Sequence, residues 1–95
     1  MAKILIRFLD RVKEATGKKS TEISVNNGET IEQILYALCE KFGDRLKNVL
    51  FKKDGAVAEN LIIFVNGKNV MTEKGLKTIV NDGDQLMIFT PIAGG

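Results

Sequence analysis

The chain has 95 residues, of which 44% are hydrophobic and 27% are charged, and its formal net charge is +2. This length supports one domain with one modest core, and the composition is ordinary for a globular protein. Basic side chains are interspersed with acidic ones, and no basic run exceeds Lys18-Lys19 or Lys52-Lys53. The charge pattern therefore predicts no nucleic acid and no membrane among the partners.

The residue types that the sequence lacks exclude several kinds of catalytic and metal site. The sequence has no His and a single Cys, Cys39. This excludes Ser-His-Asp and Cys-His catalysis, zinc sites and Cys-ligated iron–sulfur sites. A phosphate-binding glycine loop is also missing. With no bilayer-spanning apolar run, no signal-peptide pattern and no second Cys, the expected setting is intracellular, in the cytoplasm.

The first quarter of the chain predicts two strands. In residues 3–9 the alternation of apolar and polar positions places Ile4, Ile6 and Phe8 on the core face. The polar residues 10–19 predict a long loop that could include a helical turn. Residues 20–25 alternate again and predict a second strand, antiparallel to the first.

The clearest element is a helix over residues 30–42. Thr30 and Gln33 match a capping box, and Gly43 suits the position after a helix C-terminus. One apolar stripe at helical spacing consists of Ile31, Ile34, Leu35, Leu38 and Phe42. Cys39 lies at the edge of this stripe. We expect it to be a buried structural residue, because no His is available to activate its thiol.

The second half of the chain predicts short strands and turns. Residues 44–51 predict a helical turn followed by extended chain, and residues 52–55 predict a turn. A strand (61–65) then leads through a tight turn at Asn66-Gly67 into a short return strand (68–70). A connector (71–80) and a turn (81–84) precede the last strand (85–90). One main helix on one face of a mixed sheet is an α+β arrangement.

The last strand delivers a five-residue tail, Pro91-Ile92-Ala93-Gly94-Gly95. Fully extended, it reaches roughly 17 Å at about 3.3–3.6 Å per residue. Because glycine has no Cβ, a narrow channel of another protein can close around the last two residues. The functional group presented there is the α-carboxylate of Gly95. The upstream residues form the folded domain that carries this group. An inert, frayed terminus is the alternative.

Three segments together resemble the MoaD/ThiS family of sulfur carriers. The block over residues 82–95 is similar to the family's DGD-to-Gly-Gly ending, residues 8–17 are similar to the segment after its first strand, and residues 65–67 fit its hairpin. The chain is most like the small subunit of molybdopterin synthase within that family. The resemblance implies a ubiquitin-like β-grasp domain over residues 1–90 and a flexible tail over residues 91–95. The chain departs from the family pattern in two places: Thr90 stands where a first Pro is usual, and Leu9-Asp10 replaces the small residue expected after the first strand.

The resemblance implies a function for the tail. A ubiquitin-activator-like adenylyltransferase would use ATP to adenylate Gly95, next to Gly94, and a sulfur donor would convert the adenylate to a thiocarboxylate. The chain would bind no cofactor itself. It would be the non-catalytic small subunit, with the large subunit of molybdopterin synthase supplying most of the active site for sulfur transfer to a pterin.

Several alternative functions remain for the chain, most of which use the same activation of Gly95. A ubiquitin-like modifier would be conjugated to lysine, and a tRNA-thiolating carrier would pass its sulfur to RNA. Thiamin-type carriers also end in Gly-Gly but are usually shorter than this chain. From a different class, the domain could be an interaction module with an inert tail.

The resemblance also predicts a partner-binding surface. On the layout of ubiquitin, Phe64, Met87 and Phe89 share an outer apolar face beside the tail, while Leu86 and Ile88 point toward the helix. In the tail, the residues expected to contact partners are Pro91, Ile92 and Ala93. A large exposed apolar area on a monomer usually has a use. The alternative is that the connector covers part of this face.

Overall fold

The computed structural model describes residues 1–91, which form a mixed five-stranded sheet and three α-helices around one core. In chain order the elements are β1 (Ala2–Phe8), α1 (Asp10–Thr16), β2 (Ser20–Val25), α2 (Ile31–Phe42), α3 (Asp44–Leu50), β3 (Ile62–Val65), β4 (Lys68–Asn69), a 3₁₀ helix (Gly75–Lys77) and β5 (Gln85–Phe89). Across the sheet the order is β2-β1-β5-β3-β4. No helix within residues 1–91 is long and apolar enough to cross a membrane.

Strands β1 and β5 occupy the centre of the sheet and run parallel to each other, whereas the other described strand pairs are antiparallel. Their register places Phe8 beside Ile88, and both side chains are buried. Successive side chains on a strand point to opposite faces, so Arg7 and Met87 lie together on the other side of the sheet. The predicted faces of both strands are confirmed.

Helix α2 begins and ends as the sequence predicts. The Thr30 hydroxyl accepts a hydrogen bond from the Gln33 N–H at 3.4 Å, and the Gln33 side chain accepts one from the Thr30 N–H at 2.8 Å. This reciprocal pair is the predicted capping box. At the other end, the Gly43 N–H donates to the Cys39 carbonyl at 2.8 Å. Of the predicted apolar stripe, all members but Phe42 are buried, and Phe42 packs half-buried against the same core.

Helix α1 lies in a segment that the sequence predicts as a long loop that could include a helical turn. Its Val12 side chain is fully buried in the core. Gly17 ends the helix in the left-handed region, at φ 71°, and its N–H donates to the Lys13 carbonyl at 2.8 Å. The helix is longer than the single turn that the prediction allowed, because one fully buried position in two turns gives no helical periodicity to detect.

Helix α3 is longer than the sequence predicts. The expected helical turn followed by extended chain is helical as far as Leu50. Leu46 and Leu50, four residues apart on the same helical face, are both fully buried. Their packing holds the second turn in helical form, and extended chain begins only at Phe51.

Side-chain hydrogen bonds join the two turns that precede β5. Asn66 begins the predicted tight turn in the left-handed region, at φ 51°. Its side chain donates to Asp84 at 2.9 Å and accepts from the Gln85 N–H at 2.9 Å. Asp82 accepts a hydrogen bond from the Lys3 N–H at 2.7 Å. These polar residues, which carry part of the family resemblance, therefore fix the start of β5 against its neighbours.

Candidate functional site

Strand β5 leads directly into the predicted functional tail. Thr90 is buried and Pro91 is half-buried at the end of the described chain. The other predicted tail residues, Ile92, Ala93, Gly94 and Gly95, lie outside the described residues, so their roles stay predictions. The same holds for the predicted boundary between a domain ending at residue 90 and a tail of residues 91–95. The structure thus fixes the root of the tail, at the end of a central strand.

The three predicted partner-binding residues of the folded domain lie together on the sheet face opposite the helices. Phe64 of β3 is paired with Met87 of β5, and Ile62 is paired with Phe89 in the same register. The rings of Phe64 and Phe89 have centroids 6.0 Å apart and planes at 46°. We call this group, Ile62, Phe64, Met87 and Phe89, the outer apolar face. It lies beside the root of the tail, because Phe89 is two residues from Pro91.

The outer apolar face is less exposed than a fully open patch. All four of its side chains are half-buried, since neighbouring strands bring them into mutual contact. The connector is anchored elsewhere: the Ile31 N–H donates to the Thr78 carbonyl at 2.9 Å, and the Val80 N–H donates to the Glu29 carbonyl at 2.9 Å. These bonds hold the connector at the start of α2, on the helical side of the sheet.

Cys39 lies in α2, away from the outer apolar face. It is half-buried, packed against the core. Burial raises the pKa of its thiol above the ordinary value; the Lys47 ammonium opposes that rise and the Asp44 carboxylate adds to it. A thiol held in its protonated form is a poor nucleophile. Among residues 1–91, no group of three or more His, Cys, Asp or Glu side chains could hold a metal ion.

The burial of Thr90, at the root of the tail, was not predicted from the sequence. Thr90 is 2% exposed, and its hydroxyl oxygen is buried with no hydrogen-bond partner among residues 1–91. Leaving a buried hydroxyl unpaired costs about 1–3 kcal/mol. The one sign in the sequence is that Thr stands where the resembling family usually has Pro. A buried polar residue therefore lies immediately before the predicted tail.

The mixed five-stranded sheet with helices packed on one face defines a ubiquitin-like β-grasp protein. The sequence model of the ThiS family matches residues 6–95. The chain belongs to the ThiS family, which confirms the resemblance drawn from its motifs.

The individual relatives are named either as sulfur carriers or as protein modifiers. A candidate sulfur carrier protein of Archaeoglobus fulgidus is 36% identical over 80 residues, which is 76% of this chain and 90% of the relative. Small archaeal modifier protein 3 of Haloferax volcanii is 32% identical over 90 residues, 95% of this chain and 96% of the relative. The solution structure of small archaeal modifier protein 1 from Methanosarcina acetivorans superposes with a TM-score of 0.85 at 29% identity, covering 100% of this chain and 98% of that one. The expected β-grasp fold is confirmed.

Replacing Thr90 by Val keeps the side-chain shape and removes the unpaired hydroxyl. We expect Thr90→Val to raise the free energy of unfolding by about 1 kcal/mol, as measured by urea denaturation. Thr21 is the matched control, because it is also buried but its hydroxyl accepts a hydrogen bond from the Lys41 ammonium at 2.9 Å. Thr21→Val should lower stability. A Thr90→Val protein that is less stable than the parent would show that the hydroxyl is satisfied in solution.

Proposed function

We propose that the chain is a sulfur carrier that works through the α-carboxylate of Gly95. The observation that carries this proposal is the family match, which runs through the Gly94-Gly95 ending. The position of β5 supports it, because the central strand of the sheet leads straight into the tail. The relatives named as sulfur carrier and as modifier support the same class.

The proposed chemistry begins with activation of a poor electrophile. A Gly95 carboxylate oxygen attacks the α-phosphorus of ATP, which gives an acyl-adenylate and releases pyrophosphate. Hydrosulfide released by a sulfur donor then attacks the acyl carbon and displaces AMP, which leaves the thiocarboxylate. The chain supplies the carboxylate, and we assign ATP binding and sulfur delivery to an adenylyltransferase and a sulfur donor.

As the first use of this sulfur we propose donation to a pterin in molybdopterin synthesis. The chain would then be the small subunit of a synthase whose large subunit supplies the active site. The support is the block over residues 82–95, which resembles the ending of such subunits. The folded part of that block fixes the start of β5, since Asp82 and Asp84 both accept hydrogen bonds there.

The second candidate use is as a protein modifier joined to lysine through an isopeptide bond, or as a sulfur carrier for tRNA thiolation. A specific observation favours the modifier: a relative that is 32% identical over 95% of this chain is named as one. Both uses start from the same activated Gly95 and differ in the acceptor. The names of the relatives support the modifier use as directly as the tail block supports the pterin use.

For the docking surface we propose the outer apolar face. Its Phe64, Met87 and Phe89 side chains form one apolar surface beside the root of the tail. A partner that encloses the tail has to contact the domain at that root. Half-buried aromatic and Met side chains suit such a contact, because they are enriched at the centres of protein interfaces.

The tail is tested by removing or altering its glycines. Deleting Gly94-Gly95 should abolish adenylation and sulfur transfer in a system reconstituted with the adenylating enzyme, ATP and a sulfur donor. Gly94→Ala should slow adenylation by roughly tenfold to a hundredfold, because one added methyl group misplaces the carboxylate in the partner's channel. Ala93→Gly is the matched control, since it removes one methyl group next to the same position and should keep most of the rate.

Circular dichroism should show the same folded domain in all three proteins. Full sulfur transfer by the truncated protein would contradict the proposed function.

The outer apolar face is tested by Phe89→Asp. A charge at this position should weaken binding to the adenylating enzyme at least about tenfold, because a buried interface tolerates an unpaired carboxylate poorly. Binding is measured by calorimetry and folding by circular dichroism. Ile79→Asp is the control, because Ile79 is 56% exposed and lies outside the strands of the sheet.

If Phe89→Asp stays folded and binds as tightly as the parent, the docking surface lies elsewhere. Equal loss of binding in Ile79→Asp would show a nonspecific effect of added negative charge and would also contradict the assignment.

A further inference from the structure

A second surface at the root of the tail is independent of the outer apolar face. It is an open cleft of about 690 Å³ formed by α1, α3, the chain that follows α3, and Thr90. Its charged lining residues are Arg11, Lys47, Lys52 and Lys53. This volume lies in the range of roughly 300–1,000 Å³ that is typical of small-ligand sites.

The cleft concentrates positive charge in a nearly neutral protein. The part of its lining that the structure describes contains four cations and no Asp or Glu. The whole chain has fourteen Lys and Arg against twelve Asp and Glu. Without the four cleft cations, ten basic residues remain against twelve acidic ones, so the rest of the chain carries a net charge of −2. A concave surface lined by one sign of charge raises the local concentration of counter-ions.

Of the three lysines of the cleft, Lys47 lies in α3, and Lys52 and Lys53 lie in a structured turn that follows it. The Lys52 N–H donates to the Ala56 carbonyl at 2.7 Å, and the Gly55 N–H donates to the Lys52 carbonyl at 3.0 Å. The Ala58 N–H then donates to the Leu50 carbonyl at 2.8 Å, which ties the chain after the turn to the end of α3. The backbone positions of the cations are therefore fixed before any ligand arrives, which lowers the entropy cost of binding.

Acidic groups lie near the cleft cations as well. Glu40 and Asp44 line an adjoining pocket together with Lys47, Lys52 and Lys53. The Glu59 carboxylate lies 3.3 Å from the Lys52 ammonium, but its side chain is 87% exposed. An ion pair of this kind contributes little in water and is readily exchanged for a stronger anion. Lys47, Lys53 and Arg11 have no carboxylate within salt-bridge distance in the described residues.

The rest of the lining is suited to a ligand with polar and planar parts. Phe51 lines the cleft and stacks on Tyr36, with ring centroids 5.4 Å apart and planes at 6°. Asn48 and Asn60 also line it. Thr90, whose buried hydroxyl has no partner within the described part of the chain, also lines the cleft and directly precedes the predicted tail.

We propose that this cleft binds the adjacent phosphates of a nucleoside triphosphate or of inorganic polyphosphate. Several phosphates in a row match several cations, with the Arg11 guanidinium able to bind phosphate oxygens in pairs and the lysines acting as point charges. A single carboxylate would leave most of these cations unpaired. The ring of Phe51 and the nearby asparagines offer contacts to a base, which inorganic polyphosphate lacks.

The test is an NMR titration of the full chain with ATP, inorganic triphosphate and adenosine at physiological ionic strength. No partner protein is present, so the result does not depend on the proposed function. We expect ATP and triphosphate to shift the amide signals of residues 47–53 saturably, with dissociation constants of about 1 mM or lower, and adenosine not to do so. Tighter binding of ATP would identify the nucleotide as the ligand, and equal binding would identify polyphosphate.

The double variant Lys52→Ala, Lys53→Ala should weaken triphosphate binding by roughly tenfold or more. Its matched control is Lys18→Ala, Lys19→Ala, which removes another exposed lysine pair and should change binding less than about twofold. Glu59→Gln should tighten binding, because it removes the competing carboxylate.

Three results would overturn the proposal. The first is shifts that do not saturate, and the second is equal weakening by the Lys18, Lys19 pair. The third is tighter binding of an acidic peptide than of triphosphate, which would assign the cleft to a protein partner.

Discussion

The parallel pairing of the first and last strands is the constraint on which the rest of the structure depends. Ile6 and Phe8 of β1 lie beside Leu86 and Ile88 of β5, and all four side chains are buried. Each such burial contributes about 1.5–3 kcal/mol before chain entropy is counted. Parallel neighbours need a long crossover, so every other element is built between these two strands. The strand that precedes the tail is consequently held at the centre of the sheet.

In this arrangement one face of β5 packs in the core and the other face forms the proposed partner-binding surface. Side chains on a strand alternate between faces, so β5 uses Leu86 and Ile88 for the core and Met87 and Phe89 for the outer apolar face. A slip of one residue would exchange the two sets. The hydrogen bonds of the Asn66 side chain to Asp84 and Gln85 oppose such a slip at the start of the strand. Motif residues that resemble the family's thus have a structural role in the folded domain.

The sequence predicts those elements whose signal is local. The capping box of α2 and the two faces of β5 follow from spacing alone, and the structure confirms both. The existence of α1 does not follow, since its one fully buried residue, Val12, is held by tertiary packing. The basic cleft also could not be predicted from the sequence, because Arg11 and Lys47 line the same cleft only once α1 and α3 have packed together. The sequence could predict the outer apolar face of the candidate site. It could not predict that the Thr90 hydroxyl is buried without a partner in the part of the chain that the structure describes.

The central claim is that Gly95 carries a thiocarboxylate, and intact-protein mass spectrometry tests it most directly. The protein is purified from its own cells without thiol-reactive reagents and then fragmented to locate any modification. The account predicts a fraction heavier by the difference between one sulfur and one oxygen atom, with the change confined to Gly95. The same sample reveals whether peptides from other proteins carry Gly95 on lysine, which separates the modifier use from sulfur donation. An unmodified Gly95 carboxylate throughout, in cells where another carrier is found thiocarboxylated, would contradict the account.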